Sequence, residues 1–169
     1  MISARRWTLA LGTSVAALAT ASSSPVWAQC APSPAVADSI TTCSGTETNG
    51  LVVAVDKARI VVDAGAVVSG PGRGSIMVLP PVGADSYAAA TSTIVVRGTV
   101  SGANAGIVVA SSQPDSYDYF YGVRTQSAIV VEQGGTIQGD VGVDVNPTGG
   151  NYGGWAWVTI DNSGTISGT

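Results

Sequence analysis

Histidine is missing altogether from this 169-residue sequence. That absence removes imidazole general bases, Ser-His-Asp and Cys-His nucleophilic catalysis, and the common zinc ligand sets. Charge is scarce as well: 11% of the residues are charged, seven basic against 11 acidic. A chain so poor in cations is unsuited to nucleic acid or anionic membranes, so neither is expected as a partner. There are two cysteines, and without histidine they leave a zinc shell incomplete, so no metal and no cofactor are expected. The Gly-rich stretches GPGRG from Gly70 and GGNYGG from Gly149 are not phosphate loops. Neither is followed by Lys-Ser/Thr, and no helical pattern offers an N-terminus to a phosphate.

What the sequence has instead is a repeat. IVVDAGAVVSG from Ile60, IVVRGTVSG from Ile94, IVVEQGGTIQG from Ile129 and VTIDNSGTISG from Val158 begin 34, 35 and 29 residues apart. Each opens with β-branched residues, which fit a pleated and half-buried surface, and turns through glycine toward a G-T-(V/I)-x-G segment. Further apolar runs follow the first three copies. Strand alternation points Ile76 and Val78, Ile107 and Val109, and Val143 and Val145 inward, with Val68, Val100, Ile137 and Ile166 stacked in the G-T-(V/I)-x-G segment. No such unit can bury its apolar face alone, but stacked units build a continuous core. The expectation is an all-β chain, a parallel β-helix (β-solenoid) with lateral loop insertions. A Greek-key sandwich also has many short strands, but it does not require aligned Val/Ile columns.

Residues 1–28 read as a signal peptide: Arg5 and Arg6, an uncharged apolar stretch, then Val26-Trp27-Ala28 before cleavage. Removing it leaves five cations against the 11 acidic residues, a net charge of about −6. In an exported chain Cys30 and Cys43 are expected to form a disulfide, making residues 29–48 a stapled cap over the first rung. Residues 49–169 are assigned to the solenoid, with Asp56-Lys57-Ala58 as a turn. Insertions interrupt it at Leu79 to Ser92, Ala110 to Ser127 and Asn146 to Gly154. The last rung ends at Thr169 with no polar closing segment, so the chain is expected to continue.

Two groups of side chains are candidates for chemistry. Asp63, Arg97, Glu132 and Asp161 follow the β-branched runs, and stacking would gather them in a charged column at the strand spacing of about 4.8 Å. Such a column is either the acid/base and oxyanion machinery of a groove or a solvated ladder worth little. The acidic pairs Asp115 and Asp118, and Asp140 and Asp144, match no calcium-loop spacing. The second group is aromatic: Tyr117, Tyr119, Phe120 and Tyr121 in one insertion, Tyr152, Trp155 and Trp157 in and after the next. Aromatics on loops serve binding surfaces or fold back to seal loops onto the column.

The signal peptide, the short disulfide with TCSGT at Thr42 to Thr46, the NGLVV that follows and the GT(V/I)SG rungs together resemble the N-terminal part of a bacterial autotransporter passenger. That resemblance implies a right-handed β-helix, exported and displayed at the outer membrane or cell surface, or released. The C-terminal membrane barrel of such proteins has no counterpart in these residues. The function expected is adhesion or surface interaction with glycans or proteins, without catalysis. The alternatives are a polysaccharide-acting β-helix enzyme, lyase or glycosidase, and a structural stalk.

Overall fold

The computed structural model describes residues 30–81, 89–111, 124–147 and 154–169. Among these the chain is all-β, without a helix. It opens with β1 (Cys30–Ala31) and then passes through successive circuits. These run β2 (Ile40–Cys43), β3 (Thr46–Glu47), β4 (Leu51–Val53); β5 (Ala58–Val62), β6 (Val67–Gly70), β7 (Ile76–Val78); and β8 (Ala89–Val96), β9 (Thr99–Gly102), β10 (Ala105–Ala110). Next come β11 (Arg124–Val131), β12 (Thr136–Gln138), β13 (Val141–Asn146), and finally β14 (Trp155–Asn162) with β15 (Thr165–Ser167).

Each circuit contributes its strands in turn to three sheets. Sheet A has the order β1-β2-β5-β8-β11-β14, sheet B β15-β12-β9-β6-β3 and sheet C β13-β10-β7-β4. All pairings are parallel except β1 with β2. Strands paired in parallel are thus one full circuit apart in sequence, which is compatible with the solenoid that the repeat predicts.

The core is a set of columns of like residues. Ile60, Ile94, Ile129 and Ile160 stand in register, and so do Val68, Val100, Ile137 and Ile166. Sheet C stacks Leu51, Ile76, Ile107 and Val143 beside Val53, Val78, Val109 and Val145. The inner members of these columns are fully buried, and each buried Ile or Val contributes about 1.5–3 kcal/mol relative to exposure. The inward positions expected from alternation are therefore inward, although Val145 lies 39% exposed at the end of its sheet.

Strands β8 and β11 begin earlier than the apolar runs suggest, so the insertions are shorter than their expected limits. The added inward positions are small or polar: Ala90 and Ser92 in β8, Thr125 and Ser127 in β11, all buried. Their hydroxyls are satisfied inside the column. Ser92 and Ser127 share a hydrogen bond of 2.8 Å, and Thr125 Oγ1 donates to the Ala110 carbonyl at 2.9 Å. The three insertions all connect a strand of sheet C to the next strand of sheet A. The stapled segment itself enters the sheets: Cys30 and Cys43 are disulfide-bonded, and β2 and β3 pair with β5 and β6.

The corner from sheet A to sheet B alternates in width. Taking the aligned inward residue of sheet A and the aligned first residue of sheet B, the step is five residues from Thr41 to Thr46 and seven from Ile60 to Val67. It is five again from Ile94 to Thr99, seven from Ile129 to Thr136, and five from Ile160 to Thr165. The wide corners close on themselves. Ala66 N–H donates to Asp63 O and Gly135 N–H to Glu132 O, both at 2.9 Å, with Gly65 and Gly134 at positive φ in the third position as a type II turn requires. The narrow corners carry a different demand. A Cβ on Gly98 would meet the backbone oxygens of Asp63 and Ala66 in the preceding circuit, and one on Gly164 those of Glu132 and Gly135. At Gly98 and Gly164 the glycine before Thr is thus required by close approach of the neighbouring backbone, whereas Gly45, before Thr46 in the first narrow corner, is at φ 74°.

Candidate functional site

The three corners of the circuit carry different side chains. At the A-to-B corner stands the charged column. Arg97 Nε donates to Glu132 Oε2 at 3.0 Å and Arg97 Nη2 to Glu132 Oε1 at 3.1 Å, while Asp63 Oδ1 lies 4.0 Å from Nη1. The bidentate hydrogen bond from Arg97 holds Glu132 below its ordinary pKa, partly offset by burial, with the charge of Arg97 adding least. The same contact, with Asp63 adding least, pushes Arg97 upward. All three side chains are more than 40% exposed, and such a ladder is screened by solvent.

Asp161 does not join this column, contrary to the sequence expectation. In sheet A it stands opposite Val130, and Ile160, not Val158, is the counterpart of Ile129. The last circuit has the narrow corner, so aligning its Gly-Thr with that of the wide-cornered third copy displaces the strand by two residues. The place below Glu132 falls to Ser163, whose N–H donates to Val131 O as the N–H of Glu132 does to Val96 O.

At the B-to-C corner Arg73, Asn104, Asp140 and Asp144 line an open groove of about 370 Å³ with Ala105 and Val141. Asn104 Nδ2 donates to the Gly72 carbonyl at 3.2 Å, fixing one wall. Among the described residues no three side chains converge as a metal site.

The C-to-A corner is where the insertions rejoin sheet A. Tyr117, Tyr119, Phe120, Tyr121 and Tyr152 lie outside the described residues, as do residues 1–28, Asp115 and Asp118. Trp155 and Trp157 are described, and both point outward from β14, 50% and 52% exposed, while Ala156 and Val158 between and beyond them pack against the core. The indoles are 6.1 Å apart between centroids and inclined by 39°. The Arg124 guanidinium carbon sits 4.9 Å from the centroid of Trp155, a cation–π contact. The register places Arg124 opposite Trp155 and Gln126 opposite Trp157, and both are exposed. Neither Arg124 nor Gln126 was marked by sequence reasoning. Counting back five and three positions from the shared isoleucines Ile129 and Ile160 finds both pairs.

In the same outward row, at the position of β8 in register with Gln126, Thr91 is held by a carboxylate from the turn between β4 and β5. Asp56 Oδ1 accepts from Thr91 N–H at 2.8 Å and Thr91 Oγ1 at 2.9 Å. The Thr91 N–H bond chiefly lowers the Asp56 pKa, partly offset by burial. This contact ties the turn at Lys57, which has φ 54°, to the start of β8.

Comparison with family models, with curated proteins and with solved structures found no match to this chain.

Proposed function

We propose that this chain is an exported, right-handed parallel β-helix of the autotransporter-passenger kind, which acts at or beyond the cell surface by binding rather than by catalysis. The repeated passage through sheets A, B and C supports the helix, and the general right-handedness of parallel crossovers supports its hand. The composition of residues 1–28 supports export.

The observation that carries the binding function is the outward pair Trp155 and Trp157. Aromatic side chains left half-exposed, side by side on a rigid strand, present large contact area at low ordering cost. The charged column argues against catalysis there, because Arg97 is held between Glu132 and Asp63. The test is adsorption of the purified chain to wells coated with mucin, collagen or polysaccharide. Trp155→Ala/Trp157→Ala is expected to lose at least about tenfold in retention on one coating, as for an aromatic anchor. Equal retention of the variant on every coating overturns the proposal.

Polysaccharide cleavage has one observation in its favour, the groove that brings Asp140 and Asp144 together beside Arg73. A glycosidic general acid needs a carboxyl whose pKa is raised by burial, whereas Asp140 is exposed and Asp144 half-buried. Release of reducing ends or unsaturated products that is abolished by Asp144→Asn would put cleavage ahead of binding.

A further inference from the structure

We infer that the outward face of β11 and β14 is a platform for a neutral hexose polymer, with Trp155 and Trp157 as its floor and Gln126 as its polar guide. The inference rests on the surface-binding function proposed above and names its ligand. Residues two apart on a strand point the same way, so the two indoles follow one another along β14. With centroids 6.1 Å apart and planes inclined by 39°, they form a shallow shelf rather than a closed stack. Such a shelf suits the C–H faces of consecutive pyranose rings, which are flat, apolar and edged with hydroxyls.

The neighbours fit the same ligand. Arg124 covers one side of Trp155 at 4.9 Å and presets the ring, which lowers the ordering cost of binding. Gln126, in register with Trp157 and exposed, offers two amide donors and an acceptor to hydroxyl groups. Thr159 continues the outward row beyond Trp157, also exposed.

The platform's own charges offset one another, Arg124 at one end being engaged over Trp155 and Asp161 standing at the other, so it offers an acidic polymer no net attraction. The chain carries a net −4, and about −6 without residues 1–28, and Asp161 ends this same outward row. A uronate polymer running along β14 would meet that carboxylate, whereas a neutral chain meets no repulsion.

The test is native affinity electrophoresis of the full chain through gels containing hydroxyethyl cellulose, mannan or dextran, with polygalacturonate as the acidic comparison. Retardation by at least one neutral polymer is expected. Trp157→Ala and Trp155→Ala should each raise the apparent Kd about tenfold or more, and Gln126→Ala about threefold to tenfold. Circular dichroism spectra equal to those of the parent show that these exposed substitutions leave the fold intact. The inference is overturned by no retardation in any neutral polymer, by retardation that both Trp variants retain, or by stronger retardation in polygalacturonate. Trp-dependent adsorption to protein-coated wells without retardation in the neutral gels would sink the glycan and leave surface binding standing. Trp-independent behaviour in both assays would sink both.

Discussion

The first and last of the described circuits enclose their inward side chains differently. At the first end β1 folds antiparallel over β2, and the Cys30–Cys43 disulfide locks the pair. Both cysteines and Ala35 are buried, and Thr41, at the head of the isoleucine column, is 1% exposed. At the other end β13, β14 and β15 each terminate their sheet. There Ile160 is 45% exposed, although Ile94 and Ile129 of the same column are 0%. An inward-pointing side chain is thus not yet a buried one. Alternation aims it at the core, and only the circuit on its far side removes it from water.

That contrast is most sharply broken within the isoleucine column. Ile94→Ala should cost about 2–5 kcal/mol in a urea melt, since a fully enclosed side chain leaves a cavity, while Ile160→Ala should cost less than about 1 kcal/mol. Equal losses would mean that Ile160 is covered in solution, and light scattering would then find chains associated through β14.

Removing the staple probes the closed end. Cys30→Ser/Cys43→Ser is expected to lose about 3 kcal/mol, from the loop-closure entropy of cysteines 13 residues apart. An unchanged midpoint would show that β1 holds the cap by its strand pairing alone.

A smaller loss than that of the staple should come from the brace between the β4–β5 turn and β8. Asp56→Ala leaves the Thr91 N–H without its carboxylate partner, at an expected cost of about 1 kcal/mol after allowance for solvent. Because the folded pKa of Asp56 is depressed, its contribution is fully present above the ordinary carboxylate value. It is lost as pH falls through the lower, folded value. Melts of parent and variant should therefore converge in acid and separate toward neutrality; a constant gap would show that the charge is immaterial.

The sheets were legible in the sequence because β-branched residues recur with the period of a strand and glycine marks each corner. Ile76, Ile107, Val68, Val100 and Ile137 are buried where alternation put them. The starts of β8 and β11 were not legible, because Ala90, Ser92, Thr125 and Ser127 face inward without an apolar signal. Asp161 was misplaced because two landmarks in the last copy, the β-branched run and Gly-Thr, disagree by two residues, and nothing in the sequence says which governs sheet A. The neighbours of the tryptophans were hidden for a topological reason. Arg124 and Trp155 meet across a strand pair, and such contacts lie a whole circuit apart along the chain.

The alternating corners make the stack count in couplets. The five corners alternate narrow and wide, so the structure repeats every second circuit: 69 residues from Ile60 to Ile129 and 66 from Ile94 to Ile160. Each narrow corner lies against a wide one, as Val62 O shows by accepting both Arg97 N–H and Gly98 N–H. Duplicating a single circuit would set two like corners edge to edge and strip one of its complementary neighbour. Duplicating two leaves every seam as it was. A chain of this design lengthens without rewriting its joints only by whole couplets.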